Sequence, residues 1–362
     1  MRDVYFKYFG TSLLCGVLLG IFRMLIANEN DVGAKNSVEF FVLFRDFFEQ
    51  RIESIFPDPY GSIMDGILTG ARKNIPYDLM QSFNHAGITH IIAVSGYNIS
   101  IVIAFVSGLF SFLGRKKRAV LSIVFVILFV MFVGASASTV RAGIMGIIAL
   151  AAMYYGRTYL AGWGILLTAF VIGIFSPNMF FEDVGFQLSL TATAGLVFVS
   201  PLLENYFKKM PDFYSMKSSL LATLSAQISS FPIIISVFGT LSIISPLTNL
   251  LILPLIPLSM LSGFVAVILS IFSFTLANFV GFFGYIFLKI LVFVAEKFGG
   301  LHYSTVEINY FPWWIFMLYY FFLVKKVFRI GEFCLYFRSL ELSFLASMCQ
   351  FGMRMKQLVN RP

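Results

Sequence analysis

The chain is built from a succession of apolar runs, each roughly 17–25 residues long, and that length constrains its fold more than any other feature. Runs of this size fit helices crossing a hydrocarbon layer about 30 Å thick and are far too long for barrel strands. In lipid every backbone group must be paired within its own segment or in a closed barrel, so the expected architecture is all-α. About ten transmembrane helices are expected, near residues 8–27, 88–113, 119–134, 140–156, 158–175, 184–203, 218–238, 246–272, 276–295 and 311–328. Composition agrees. Hydrophobic residues make up 59% of the chain and charged residues 12%, against roughly 25% charged in soluble domains. A soluble globular fold is excluded.

The basic residues sort to one side of this arrangement. Arg2 and Lys7, Arg115 to Arg118, Arg157, Lys208 with Lys209 and Lys217, and Lys325 with Lys326 and Arg329 fall together. Glu182, Asp183, Glu296 and Glu307 fall on the opposite side, with the segment 28–87. The positive-inside rule then places both termini in the cytoplasm and 28–87 outside an inner (cytoplasmic) membrane crossed many times. It also accounts for the net charge of +8 without nucleic acid.

Four regions emerge. Residues 1–27 form an N-terminal anchor, 28–87 a short extracytoplasmic helical segment, 88–328 the membrane core and 329–362 a basic tail. Within 28–87, Val38, Phe41, Val42, Phe44, Phe48, Ile52 and Ile55 recur at helical spacing. That helix is expected to lie on the membrane surface or to cover other spans. Two short helices follow, separated at Pro76. Pro246, Pro254 and Pro257 interrupt one apolar run, which predicts a broken helix lining a cavity.

Polar groups inside lipid are costly and therefore informative. One cluster sets His90, Ser95, Gly96, Asn98 and Ser100 in an apolar helix. A second joins the small-residue turn Gly134 to Ser138 with Arg141, which either snorkels to headgroups or offers a fixed charge to an anion. A third carries Gln187, Ser189, Thr191 and Thr193 behind Glu182 and Asp183, acids placed to cap a helix start. The fourth runs from Gln227 through Pro232 to Asn249. For each, helix-to-helix hydrogen bonding competes with lining a polar path. Lys289 is a lone cation near the middle of its span.

Enzyme chemistry finds little support. No Gly-x-x-x-x-Gly-Lys-Ser/Thr loop is present. Cys15, Cys334 and Cys349 form no metal or disulfide framework, and His85 and His90 are spaced five apart, off a common helical face. No cofactor is expected.

Taken in order, these motifs resemble the ComEC family of competence membrane proteins. Gly66, Gly70, Arg72 and Pro76 match a leading motif. The segment His90-Ile-Ile-Ala-Val-Ser-Gly-Tyr-Asn-Ile99 is similar to the family's His-Leu-Leu-Ala-Ile-Ser-Gly-Leu-His-Ile. Ser138 to Ala142 match Ser-x-x-Arg-Ala, and Gly185 to Ser189 match Gly-Phe-Gln-Leu-Ser. The resemblance covers about residues 60–325. One departure is Asn98, where the family often has His, the side chain that titrates near neutrality.

The resemblance implies a channel that passes single-stranded DNA across the cytoplasmic membrane. Pore-lining or DNA-contacting roles would fall to His90, Ser95, Gly96, Asn98, Arg141, Gln187, Ser189, Gln227 and Asn249. It also implies an ATP-driven cytoplasmic motor, an extracytoplasmic DNA receptor, contact with membrane lipid and a homo-oligomer. Long family members add an oligonucleotide-binding domain and a β-lactamase-like domain. Segment 28–87 is short for the first, and 329–362 holds no His or Asp for the metal centre of the second. The competing reading is a secondary transporter or channel for a small anionic solute. Such transporters often show repeated halves, and no internal repeat is evident here.

Overall fold

The computed structural model describes residues 32–71, 74–92, 94–134, 136–159, 161–175, 182–208, 210, 216–308 and 311–329. The expected anchor at 8–27, Arg72 and the tail beyond Arg329 lie outside the described residues. The chain begins with α1 (Val32–Ile55), α2 (Tyr60–Leu68), α3 (Tyr77–Ala86) and α4 (Thr89–Ile92). The core continues through α5 (Gly96–Leu109), α6 (Arg115–Val133), α7 (Ala137–Tyr155) and α8 (Ala161–Phe175). Then come α9 (Val184–Phe198), α10 (Ser200–Glu204), α11 (Met216–Phe238), α12 (Ser245–Ile252), α13 (Leu255–Phe272), α14 (Phe274–Gly299) and α15 (Trp313–Arg329). Strands β1 (Thr240–Ser242) and β2 (Thr305–Glu307) pair antiparallel, with Leu241 opposite Val306. This small ribbon is the one regular element outside the all-α expectation among the described residues. It is formed by connections, where no helical periodicity competes.

Among the described residues, four helices are long and apolar enough to cross a membrane: Ser138–Tyr155, Met216–Phe238, Leu255–Phe272 and Phe274–Gly299. The apolar helices Gly96–Leu109, Ala161–Ile174 and Val184–Phe198 are shorter. Two expected spans are divided, and both divisions have local causes. The run 88–113 breaks before α5, where Ser95 is extended and its side chain accepts from the Tyr97 N–H. The run 246–272 loses its helical ladder at Leu253 and Pro254, although both residues keep right-handed helical dihedrals. Pro254 and Pro257 lack the N–H groups that would bond back to residues 250 and 253. Elsewhere the expected breaks stand where the small and capping residues predicted. Gly134 ends α6 at φ +93, Ser136 caps α7, and Asp183 caps α9 through the Phe186 N–H at 2.9 Å.

The buried interior falls into two clusters. Ile99, Val126, Val140, Ile147 and Phe186 join α5, α6, α7 and α9. Phe56, Ile63, Phe83, Ile92, Ile256 and Leu288 join the first four helices to α12, α13 and α14. The described part of 28–87 is therefore packed against the rest of the chain. Residues Gly61 through Leu68 of α2 are all buried. Phe48 and Ile52 turn the inner face of α1 into this core, and Phe44 and Phe48 meet Phe132 at 5.6 and 5.1 Å. Glycines on α14 permit the closeness, since a side chain on Gly284 would meet Ser262 and Phe56, and one on Gly299 the Ser82 carbonyl.

Between α1 and α2 lies Asp65, 4% exposed, with Oδ1 lacking a hydrogen-bond partner. Burial, then repulsion from Glu49, Glu53 and Asp58, pushes its carboxyl up to about 8. The folded chain thus holds a proton that the unfolded chain releases above the ordinary carboxylate range. Stability from this site is present at low pH and is lost as pH rises from about 4 to about 8. Asp65→Asn should flatten that decline and raise the unfolding temperature by several degrees on the alkaline side. Thermal unfolding in detergent at about pH 5 and about pH 8.5 checks it; a pH slope unchanged by the substitution would refute it.

Candidate functional site

The site grows from the end of α3. Gly87, its C-cap, sits at φ +72, a left-handed conformation that glycine adopts without strain. The last carbonyls of any helix lack partners within it. Here hydroxyls from the β1–α12 segment supply them. Ser242 donates to the His85 carbonyl at 2.6 Å, Thr248 to Ala86 at 2.6 Å and Ser245 to Gly87 at 3.4 Å. Gln227 of α11 donates to the Ser242 carbonyl at 2.8 Å. Asn249 donates to the Ser245 hydroxyl at 3.1 Å, while its own buried Oδ1 has no partner.

The α4–α5 turn follows this helix end in the chain. His90 and Gly96 are exposed and Ser95 is half-buried. A Cβ on Gly96 would meet only the Cβ of Ala142, at 3.7 Å. Asn98 is fully buried and donates to the Ile67 carbonyl at 3.2 Å, one of the orphan carbonyls ending α2. Gly66, one residue earlier, leaves room for Ile92. Gly66 of the leading motif thereby meets the His90–Ile99 motif, and Gln227 and Asn249 gather at the clamp on the end of α3.

The other two motifs pair with each other. Arg141, expected either to snorkel to headgroups or to offer a charge to an anion, is 2% exposed. Its guanidinium reaches the carbonyls of Gly185 and Phe186 at 3.4 and 3.5 Å and the Ser138 hydroxyl at 3.2 Å. It lies 5.8 Å over the Phe186 ring, near Asp183. A charge this far inside needs several donors satisfied at once, and the start of α9 offers the acceptors. Gln187 and Ser189 are half-buried on the same helix. The two groups touch where Gly96 meets Ala142, next to Arg141. Lys289 is exposed, 5.9 Å over the Tyr285 ring.

Sequence reading missed the hydroxyl clamp of Ser242, Ser245 and Thr248, and it missed Tyr97. The clamp had a weak signal, since helix ends at membrane depth require donors from elsewhere.

An all-α membrane protein, with polar side chains drawn to helix ends, is the class these features define. The competence-protein family model matches residues 67–332, and the chain belongs to that family. It is 30% identical over 222 residues to ComE operon protein 3 of Bacillus subtilis (strain 168), an alignment covering 60% of this chain and 27% of that protein. The chain thus spans about a quarter of that relative's length in the aligned region. No solved structure shows a significant match. The ComEC-type membership expected from the motifs is established by these two matches.

Proposed function

We propose that the chain is the membrane path for single-stranded DNA during natural transformation. The observation that carries this reading is the gathering of family motifs at helix ends, with His90 and Gly96 exposed and Ser95 half-buried. Interrupted helices expose main-chain polar groups that a wet path requires. The start of α5 also presents the positive end of a helix dipole, which favours phosphate. His90, Ser95, Gly96, Gln187, Ser189 and Gln227 line the path in this reading, and Asn98, Asn249 and Arg141 hold its walls. Too many exposed cations would trap a polyanion, since phosphate contacts dominate affinity.

The same reading sets the chain in the cytoplasmic membrane with about ten spans and a proline-broken helix. It assigns the chain no chemistry of its own. An ATP-driven motor docks at the basic cytoplasmic ends, a receptor delivers the strand from outside, and copies of the chain associate in the bilayer.

The test is internalised labelled DNA per membrane-inserted molecule in a strain deleted for its own channel. Gly96→Trp adds bulk where only Ala142 stands close. It should lower uptake roughly tenfold or more at unchanged protein level, because a strand with stacked bases needs open width. Undiminished uptake by Gly96→Trp would remove the α5 start from the path. Release of small anions by the wild type, with no DNA entry, would replace this function by solute transport.

A further inference from the structure

Two prolines in the apolar helices take away a helical hydrogen bond, and in both cases a tyrosine from another helix occupies the vacated carbonyl. Pro232 lies inside α11, so the Ile228 carbonyl has no N–H four residues on. The Tyr319 hydroxyl of α15 donates to it at 2.8 Å, and Tyr320 donates to the next carbonyl, of Ser229, at 2.8 Å. Pro257 does the same to the Leu253 carbonyl, at the point where the ladder between α12 and α13 fails. That carbonyl keeps only a long bond from the Ile256 N–H, 3.3 Å. The Tyr97 hydroxyl of α5 completes it at 3.1 Å, across 156 positions of sequence.

We infer that Tyr97 is a positioning residue for strand passage, its hydroxyl replacing the N–H that Pro257 lacks and so holding the α12–α13 interruption against the start of α5. The inference rests on the proposed DNA path for its function and on geometry alone for its structure. Three observations support it. Tyr97 stands between Gly96 and Asn98, in the motif that faces the path. The residue is 40% exposed, so the side chain is not retained to fill the core. Among the described residues few positions of α5 come close to α12 or α13, and this bond ties the two directly. Leu253 and Pro254 stay in right-handed helical geometry, so an N–H at residue 257 would find the carbonyl without refolding the segment.

That last point supplies the test. A cysteine replaces Leu251, which is 41% exposed one turn before the interruption, in the full chain with its own three cysteines changed to serine. Its maleimide labelling rate in membrane vesicles is compared for wild type, Tyr97→Phe, Pro257→Ala and the double variant, beside DNA uptake per molecule. Tyr97→Phe keeps the ring and removes the donor. It should speed labelling by about fivefold and cut uptake by a similar factor, at normal protein level. In the Pro257→Ala background the same change should leave the labelling rate nearly unaltered, because the main chain then supplies the donor. An equal effect of Tyr97→Phe with and without Pro257, or no effect in either, overturns the inference. Should Pro257→Ala fail to reach the membrane, Tyr97→Leu decides. Equal effects of Phe and Leu assign the role to the hydroxyl, whereas a wild-type Phe variant beside an impaired Leu variant assigns it to packing and refutes the proposal. If no variant, wild type included, imports DNA, the labelling cycle still reads the positioning role and only the DNA path falls.

Discussion

Arg141→Gln should sharply lower the amount of folded protein in the membrane and not merely its activity. The guanidinium is 2% exposed and serves the carbonyls of Gly185 and Phe186 and the Ser138 hydroxyl. Removing it leaves these groups, and the nearby Asp183 carboxylate, without their cation. Leaving buried acceptors without their donor costs on the order of 1–3 kcal/mol, a sizeable part of the stability of most domains. Arg141→Lys should recover little, because an ammonium is a point charge and cannot span three acceptors as the planar fork does. Membrane-fraction protein and unfolding temperature in detergent measure this, set beside uptake per surviving molecule. A Gln variant of normal abundance and stability that imports no DNA would return Arg141 to direct contact with the strand. One that also imports normally would leave it without a role.

The second large effect is expected at Gly87. A Cβ there would lie 2.5 Å from the Ser245 Cβ and 3.0 Å from the Ser242 Cβ, and the backbone sits at φ +72. Gly87→Ala therefore combines left-handed strain of about 1–2 kcal/mol with a clash against the hydroxyl clamp. The clamp joins the 28–87 segment to α12, so the substitution should part the two and lose membrane-inserted protein several-fold. Gly108→Ala is the control, since nothing lies within 4 Å of a Cβ at that position. It should be neutral or slightly stabilising by helix propensity. Equal levels of the two variants would show that the clamp tolerates separation.

These expectations differ in how far they could be read before the fold was known. The breaks were legible because their causes are local. Gly134 takes a positive φ, Asp183 caps the residue three positions on, and Pro76 separates two helices within a few residues of itself. The polar clusters were legible too, because a serine or asparagine in an apolar run stands out whatever surrounds it. What each cluster does was not. Asn98, for which helix-to-helix bonding and path lining were both open, donates to the end of α2, and Arg141 closes onto α9. A side chain's donors are written in the sequence, but the carbonyl they reach is set by which helices pack together.

By itself the sequence determined that this chain is helical and of the membrane class, where several of its helix ends fall, and which family's motifs it carries. Apolar run length, missing proline N–H groups and capping residues act over a few positions, so they survive being read one residue at a time. Only the tertiary structure decided that α2 and the inner face of α1 are packed into the core and that α5 approaches α7 where Gly96 meets Ala142. It alone joined Tyr97 to the carbonyl that Pro257 leaves open. Each of those depends on contacts between distant segments, and a carbonyl without an N–H takes whichever donor the packing of helices brings within reach.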